Sequence, residues 1–482
     1  MGLDPGLRRL ALGTLLAAYP GPVPPDWAVD LVADGLAGHT LFGTNVHDPA
    51  QVAASTAALR AGRADVLVAI DEEGGDVTRL AHATGSPYPG NAALGAVDDT
   101  TLTRQVYAAI GAELAALGVT VDLAPTVDVN TADENPVIGT RSFGADPARV
   151  AAHSAAAVEG LQSTGVAACA KHFPGHGATV ADSHHELPTV DASPTVLRER
   201  DLPPFAAVIS AGVRAIMTAH IRVPALTGDG PATFSRAVLV DLLRREYGFT
   251  GTVITDALEM KGAALAAGGV GPAAVLALAA GADLLCVGAK VDAALVEHVV
   301  AEIVTAIGDG RLDRTRVEEA AGRAAALAAW TRAAGPAATT PADLGYAAAR
   351  RAVRVEGDVT GLGRPLVVQV HAASTIAEGR VPWGLGPHLV ELEEVRVVAG
   401  EIEPAELGRL AAGRPIVLVG RHLHRSPGSA ALVDALAAAY PVTVVEMGWP
   451  GGWRPAGVRA FVTTFGASHA NGRAAAEVLG LV

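Results

Sequence analysis

The sequence is poor in aromatic residues, in charged residues and above all in cysteine. Aromatic side chains make up 4% of the 482 residues, charged side chains make up 18%, and there are two cysteines. Two cysteines in so long a chain do not form the disulfide framework of a small secreted protein. Because Cys169 and Cys286 each lie in an apolar, strand-like run, we expect both to be reduced thiols in the core.

Positive charge is also scarce. The formal net charge is −14, with 36 lysines and arginines against 50 aspartates and glutamates. A protein that binds nucleic acid, or that docks on an anionic membrane, carries a basic surface. No run of the sequence reaches the ~18 apolar residues of a membrane-spanning helix. We therefore expect neither nucleic acid nor a membrane as a partner.

The N-terminal segment allows two interpretations. Arg8 and Arg9 precede an apolar run that ends before Pro20, as in the charged and hydrophobic regions of a signal peptide. No clear small-residue cleavage site follows, so we favour an amphipathic first helix that ends at Pro20-Gly21. A cytoplasmic location is favoured with it, and secretion is the alternative.

Half of the residues are hydrophobic, and they form short runs that alternate with alanine-rich helical stretches. Such runs are typical of parallel strands covered on both faces, and seven lie within a length close to the ~250-residue span of a (β/α)8 barrel. The seven predicted strands are Gly38–Gly43, Val66–Ile70, Val119–Leu123, Val166–Ala170, Ala215–Thr218, Thr252–Thr255 and Asp283–Val287. The predicted fold class is α/β, a TIM-like barrel whose eighth unit is not obvious. We expect the barrel to be incomplete or irregular, and a doubly wound sheet is the alternative.

A second, smaller α/β domain is predicted after the barrel. The stretch from Arg332 to Pro341 is rich in small residues and proline, as interdomain linkers are. We place the barrel at residues 1–335, the linker at 336–345 and the C-terminal domain at 346–482. Its predicted strands are Pro365–Val370, Pro415–Val419, Val442–Val445 and Ala460–Thr463.

Polar residues follow the carboxyl ends of the predicted barrel strands, where the active site of a TIM barrel is built. They are Asp71-Glu72-Glu73, Lys171-His172, His220 and Asp256. Asp256 stands at the tip of a β-branched strand. There it is either a catalytic carboxylate or the N-cap of the next helix.

The densest polar cluster runs from Lys171 to Pro188 and holds four histidines. Within it, Asp182 stands two residues before His184. A carboxylate so placed can bond one imidazole nitrogen and stabilise the imidazolium, leaving the other nitrogen to transfer protons. The pair also occurs by chance in many loops. A metal site is a further alternative, although the histidine spacing matches no standard ligand pattern.

Together these segments resemble glycoside hydrolase family three, in its bacterial β-N-acetylglucosaminidase branch. The resemblance covers most of residues 10–335. The motifs that carry it are Lys171-His-Phe-Pro-Gly-His-Gly177, Asp182-Ser-His184, Val253-Ile-Thr-Asp256, Ile70-Asp-Glu-Glu-Gly-Gly75 with Arg79, Asn135-Pro-Val-Ile-Gly-Thr-Arg141 and Met217-Thr-Ala-His220. The C-terminal part resembles the second domain of longer members in Thr464-Phe-Gly-Ala-Ser-His-Ala-Asn-Gly472.

The resemblance implies a retaining β-N-acetylglucosaminidase that needs no metal and no organic cofactor. Asp256 would form the covalent glycosyl-enzyme, and His184, held by Asp182, would be the general acid and base. Most glycosidases use a second carboxylic acid for that step. The Asp-x-His loop marks the N-acetylglucosaminidase branch. With this loop in the barrel, the second domain need not supply a catalytic residue.

The implied partner is a small carbohydrate, a β-linked N-acetylglucosaminide, with muropeptide fragments of cell-wall recycling among the candidates. Charged hydrogen bonds would orient its hydroxyl groups. The positions that match sugar-binding residues of the family are Asp71, Arg79, Arg141, Lys171 and His172. We interpret His176 and His185 as structural and Asp128 as a loop cap, and we assign His220 no role.

Other functions stay open at this point. A phosphorylase would resolve the same glycosyl-enzyme with phosphate, and a histidine repels a phosphate dianion less than a carboxylate does. A β-glucosidase or β-xylosidase is a further alternative. A metal-dependent barrel hydrolase and a non-enzymatic sugar-binding protein are the distant ones.

Overall fold

The computed structural model describes residues 3–288, 291–333 and 343–482, with the backbone alone at Ala333. The chain forms two compact units. The barrel unit comprises Met1–Glu73, Thr103–Ile138 and Ala145–Thr340, and the sheet unit comprises Gly74–Leu102, Gly139–Gly144 and Pro341–Val482. Two segments that the sequence-based division counts with the barrel thus belong to the sheet unit. The predicted linker lies outside the described residues up to residue 342, and Leu344 begins a helix.

Eight parallel strands form the barrel unit, which confirms the TIM-like fold. Along the sheet the strands follow chain order from β1 to β7, and β8 pairs with β1. A parallel bridge between Ile254 and Leu284 joins β7 to β8 and closes the ring. The strands are β1 (Leu15–Ala17), β2 (Gly38–Leu41), β3 (Leu67–Ile70), β4 (Val121–Asp122), β5 (Ala167–Phe173), β6 (Ala215–Thr218), β7 (Thr252–Thr255) and β8 (Leu285–Val287).

The N-terminal segment supplies the strand that the sequence left unidentified, and here the prediction was wrong. The first helix ends at Leu12 rather than at Pro20, and β1 follows it. Gly13 caps the helix, and the Thr14 hydroxyl donates to the Ala11 carbonyl oxygen, so the chain turns there. All three residues of β1 are buried, and a short apolar strand shows no periodicity that separates it from a helix. The barrel is therefore complete.

Helices alternate with the strands of both units, and several begin with an aspartate cap. Asp48, Asp146 and Asp292 each accept a backbone N–H of the following first turn. Short π-helical stretches lie at Leu197–Asp201 and Ala237–Glu246. The helices are α1 (Pro5–Leu12), α2 (Asp26–Asp34), α3 (Pro49–Gly62), α4 (Asn91–Val97), α5 (Thr100–Ala116), α6 (Pro147–Gln162), α7 (Pro194–Val196), α8 (Pro203–Ser210), α9 (Pro224–Thr227), α10 (Lys261–Ala267), α11 (Val270–Ala280), α12 (Ala293–Gly308), α13 (Arg314–Ala333), α14 (Leu344–Ala352), α15 (Pro404–Ala411), α16 (Pro427–Ala437) and α17 (His469–Val478).

Small apolar side chains fill the centre of the barrel. Ala69, Ala167 and Ala215 are fully buried there beside Leu67 and Val121. Within the described ranges, no single helix is long and apolar enough to cross a membrane. The bent pair α10 and α11 reaches the required length and composition only when both helices are counted together.

A six-stranded sheet with helices forms the second unit. The strand order is β11-β10-β12-β13-β14-β9, and all pairs are parallel except β14 with β9. The four strands predicted from the sequence form its centre. The two that the sequence missed are the edge strands β9 and β11, and β9 is exposed at every residue. The strands are β9 (Arg354–Gly357), β10 (Leu366–Val370), β11 (Glu394–Val397), β12 (Ile416–Gly420), β13 (Val442–Glu446) and β14 (Ala460–Thr463).

Candidate active site

A buried ion-pair cluster occupies the carboxyl ends of β3 and β5. The Lys171 Nζ lies 2.6 Å from Asp71 Oδ1 and 2.8 Å from Glu73 Oε1. Lys171 and Glu73 are almost fully buried, whereas 18% of the Asp71 side chain stays exposed. The Thr126 hydroxyl donates to the second oxygen of Glu73. Lysine thus holds two carboxylates, and Asp71 is the one of them that a ligand can reach.

Asp128 organises the segment that follows Lys171. Its Oδ2 lies 2.8 Å from His172 Nδ1, and its Oδ1 accepts the backbone N–H of His176 at 2.6 Å. Burial alone would raise the pKa of Asp128, but the charge of His172 and these hydrogen bonds hold it below its usual value. The Lys171–His172 and Phe173–Pro174 peptide bonds are cis. A buried carboxylate therefore fixes both the ring of His172 and the turn after it.

The loop that carries Asp182 and His184 contains the predicted dyad. The Oδ1 of Asp182 lies 2.6 Å from His184 Nδ1 and accepts the backbone N–H of His184 at 2.9 Å. Burial of Asp182 acts to raise the pKa of its carboxyl group, but the hydrogen bonds from His184 outweigh it and lower the pKa. Because Nδ1 of His184 contacts Asp182, the predicted proton transfer would run through Nε2.

Asp256 follows β7 directly. It is not a helix cap, because α10 begins five residues later with Met260 at the cap position. Its Oδ1 accepts the N–H of Ala257 at 2.8 Å. Burial would raise the pKa of Asp256, but the charges of His220, His172 and His184 lower it below its usual value. The carboxylate is therefore ionised at neutral pH, the state that its predicted role as a nucleophile requires.

His220, after β6, holds the backbone beside Asp256. Its Nε2 lies 3.1 Å from the Ala257 carbonyl oxygen, and its Nδ1 lies 2.8 Å from the Thr233 hydroxyl. Burial lowers the pKa of His220 more than the nearby Asp256 carboxylate raises it. The carbonyl oxygen of Ala257 can only accept a hydrogen bond, so Nε2 of His220 carries a proton.

The comparisons with known proteins assign this chemistry to one family. The model described as Glycosyl hydrolase family 3 N terminal domain matches residues 25–327. The chain belongs to glycosyl hydrolase family 3. The β-hexosaminidase A of Pseudoalteromonas piscicida is 34% identical to it over an alignment of 330 residues, which covers 63% of this chain and 55% of that protein. The β-hexosaminidase of Chromobacterium violaceum is 39% identical over 257 residues, which are 52% of this chain and 71% of that protein.

A solved family 3 structure matches both units of the chain. The β-N-acetylglucosaminidase from Paenibacillus sp. str. FPU-7 aligns with a TM-score of 0.88 and 33% identity, over 99% of this chain and 97% of that one. The β-glucoside phosphorylase BglX aligns with a TM-score of 0.74 over 98% of this chain and 91% of that one. Its identity is 19%, which supports the fold alone. The chain spans just over half the length of the Pseudoalteromonas relative.

Two of the predicted sugar-binding residues of this family 3 protein lie in the sheet unit. The guanidinium of Arg79 donates to the Ala377 carbonyl oxygen at 2.8 Å, and the Asn91 amide donates to the backbone oxygen of Arg141 at 2.7 Å. Both arginine side chains are largely buried. Asp71, Lys171 and His172 belong to the barrel unit with Asp182, His184 and Asp256. The sugar-binding roles of Arg79 and Arg141 stay predictions.

Sequence reasoning missed two residues that hold this family 3 site together. Asp128 was interpreted as a loop cap, and it does accept backbone N–H groups, but it also bonds the His172 ring. His220 received no role. Their position was the signal that could have identified them, since each follows the carboxyl end of a barrel strand.

Among the described residues, no group of three or more histidine, cysteine, aspartate or glutamate side chains could hold a metal ion.

Proposed function

We propose that this protein is a retaining β-N-acetylhexosaminidase that removes terminal β-linked N-acetylglucosamine. One observation carries the proposal: Asp182 orients His184 at 2.6 Å in the loop that follows β5, and Asp256 follows β7 at the same end of the barrel. The names of the relatives support the same activity, since they are β-hexosaminidases and a β-N-acetylglucosaminidase. A nucleophile and a proton donor acting together are what a two-step glycoside hydrolysis requires.

The reaction follows from these roles. The Asp256 carboxylate attacks the anomeric carbon while Nε2–H of His184 protonates the departing glycosidic oxygen, so the aglycone leaves as an alcohol. The Asp182 carboxylate stabilises the imidazolium before the transfer and holds the ring in place. The neutral His184 then takes a proton from water, which attacks the glycosyl-enzyme and releases Asp256. Two displacements at one carbon retain the β configuration.

Sugar recognition is assigned to charged groups at the same end of the barrel. The Asp71 carboxylate, which is exposed in part, and the His172 ring can accept and donate hydrogen bonds to sugar hydroxyls. Lys171 holds Asp71 in place at 2.6 Å. The family resemblance adds Arg79 and Arg141. Muropeptide fragments as physiological substrates and a cytoplasmic location belong to the same proposal. The first rests on the family resemblance and the second on the N-terminal sequence.

Release of nitrophenol from 4-nitrophenyl β-N-acetylglucosaminide tests the proposal. Purified protein is assayed with and without phosphate, beside the β-glucoside and β-xyloside, and the sugar product is identified. Equal release in both buffers with free N-acetylglucosamine supports the hydrolase. A strong rise with phosphate that yields the sugar 1-phosphate would establish a phosphorylase instead. Preference for the glucoside or xyloside would overturn the specificity, and no release from any substrate would overturn the activity. Asp256→Asn is the control for contaminating activity.

A further inference from the structure

Ser183, the residue between Asp182 and His184, is fastened to the barrel from two sides. Its hydroxyl lies 3.2 Å from Nε2 of His176, and its carbonyl oxygen accepts the N–H of Gly262 at 3.2 Å. Both Ser183 and His176 are almost completely buried. The two neighbours of Ser183 are the dyad itself, so any shift of Ser183 moves the proton donor.

His176 is in turn fixed by its own contacts. Its backbone N–H donates to Asp128 Oδ1 at 2.6 Å, and its Nδ1 lies 2.7 Å from the Thr179 hydroxyl. The Asn135 amide donates to its carbonyl oxygen at 2.9 Å. A buried ring with both nitrogens and its backbone engaged has one orientation available. His176 is therefore a rigid support for whatever its Nε2 contacts.

The same Asp128 carboxylate also holds the His172 ring at 2.8 Å. The rings of His172 and His176 lie edge to face, with centroids 5.9 Å apart. A continuous set of contacts therefore runs from His172 through Asp128 and His176 to Ser183. One end is a residue assigned to the sugar, and the other end is the acid/base loop.

We propose that His176 is a positioning residue for the general acid, which it holds in register with the bound sugar through Ser183. The proposal rests on the proposed hydrolase function. Proton donation depends on the placement of Nε2 of His184 to within tenths of an ångström of the glycosidic oxygen. The Asp182 carboxylate orients the ring, whereas His176 fixes the place of the loop that carries both.

Gly262 leaves room for this arrangement. A Cβ atom added there would lie 3.1 Å from the carbonyl oxygens of both Ser183 and Glu186, and 3.2 Å from that of His220. These contacts are shorter than a relaxed carbon–oxygen contact, so a side chain at residue 262 would displace the loop. Glycine therefore lets the loop rest against the start of α10, close to the segment after Asp256.

Ser183→Ala tests the proposal, because it removes one hydroxyl and leaves the dyad intact. Two substrates separate the effects: dinitrophenyl β-N-acetylglucosaminide, whose leaving group needs little protonation, and chitobiose, whose leaving group needs it. We expect kcat/KM for chitobiose to fall about tenfold or more, within the range that general acid catalysis supplies. For the dinitrophenyl substrate we expect a change of about twofold or less. His176→Phe, which keeps a ring without nitrogens, should show the same selectivity.

Thr103→Val is the matched control. Its hydroxyl lies 2.8 Å from Nδ1 of the buried His153, so the change also removes a hydroxyl from a buried imidazole, but in helices α5 and α6. We expect it to spare both substrates. Equal losses on the two substrates in Ser183→Ala, or no loss on either, would overturn the positioning role. Wild-type protein assayed in the same series shows separately whether the proposed hydrolase function fails.

Discussion

The Nδ1 atom of His184 lies 2.6 Å from Oδ1 of Asp182, two residues earlier in the chain. The same oxygen accepts the backbone N–H of His184 at 2.9 Å. One carboxylate oxygen therefore fixes both the ring and the backbone of the histidine. The arrangement is local, so the loop carries the proposed acid and base together with the group that orients it.

Asp182→Asn should shift the pH dependence of turnover. The amide oxygen can keep both hydrogen bonds but lacks the negative charge that favours the imidazolium. The hydrogen bond and charge that lower the pKa of Asp182 act reciprocally on His184. The pKa of His184 therefore falls in the variant, and the basic limb of kcat/KM for chitobiose moves to lower pH. A pH profile measured on both proteins tests this. An unchanged basic limb would show that the carboxylate contributes geometry alone.

Protonation of Asp256 and Asp182 should not reduce kcat/KM at any pH above about 4. The ordinary pKa of both Asp256 and Asp182 is 3.8, and each is lowered in the folded protein. Both groups stay ionised as the pH falls from neutrality, and they gain protons only below that value. A kcat/KM profile with the dinitrophenyl substrate, which needs little acid catalysis, should therefore stay flat from neutral pH down to about pH 4. A fall at higher pH would contradict the lowered pKa of Asp256.

Azide should distinguish the nucleophile from the acid/base residue. Asp256→Ala should lose about 10⁴-fold or more in kcat on every substrate, as the loss of a catalytic nucleophile does. Added azide would attack from the vacated side and give the α-glycosyl azide. His184→Ala keeps the covalent route, so azide would intercept the glycosyl-enzyme and give the β-glycosyl azide. The configuration of each product, determined by NMR, is the measurement. Identical configurations would contradict the assignment of roles.

The sequence predicted the barrel and its catalytic end because those features leave a strong local signal. Buried parallel strands appear as continuous apolar runs, and the polar residues that follow them stand out. Three-residue β1 gave no such signal, since Leu15–Ala17 continues the apolar character of the preceding helix. The exposed edge strand β9 was not predicted for the opposite reason, because the sequence of Arg354–Gly357 resembles a polar loop.

The candidate site was predictable to the extent that its groups are neighbours in sequence or match a known motif. Asp182 and His184 satisfy both conditions. The contact between Asp128 and His172 spans 44 residues, and that between Lys171 and Asp71 spans 100. No pattern along the chain encodes such pairs, because they exist only after adjacent strands have placed their ends together.

Lys171→Met should destabilise the barrel as well as abolish activity. The change leaves Asp71 and Glu73 without their shared cation, and Glu73 is 3% exposed. Removing one partner of a buried ion pair costs about 3–5 kcal/mol. Adding Glu73→Gln to the same chain removes the buried charge and should recover part of the stability without restoring kcat/KM. Urea midpoints and kcat/KM of the single and double variants test both parts. A double variant as unstable as Lys171→Met would contradict the coupling.

Asp283→Ala should lower the free energy of unfolding of the barrel without changing catalysis. Asp283 is fully buried before β8, where its Oδ1 lies 2.5 Å from Arg316 Nη2 and 3.0 Å from Arg323 Nη1. Its Oδ2 contacts Arg244 and accepts the backbone N–H of Val253 at 2.9 Å. Three guanidinium groups thus share the single negative charge of Asp283, and the carboxylate completes the pairing of β7 with β8. Its loss leaves those cations facing one another, at a cost of about 3–5 kcal/mol.

The exposed pair of Asp241 and Arg245 provides the comparison for Asp283. Its atoms approach to 2.7 Å, as closely as in the buried cluster, but both side chains are more than half exposed. Water screens such a pair, so Asp241→Ala should cost about 0.5 kcal/mol or less. Each variant's urea midpoint is compared with that of the wild-type protein. A shift several-fold larger for Asp283→Ala than for Asp241→Ala would show that burial, and not contact distance, decides what an ion pair contributes here. Similar shifts would mean that water reaches Asp283. KM for the nitrophenyl substrate should stay unchanged in both variants, because neither aspartate lies at the carboxyl end of the barrel strands.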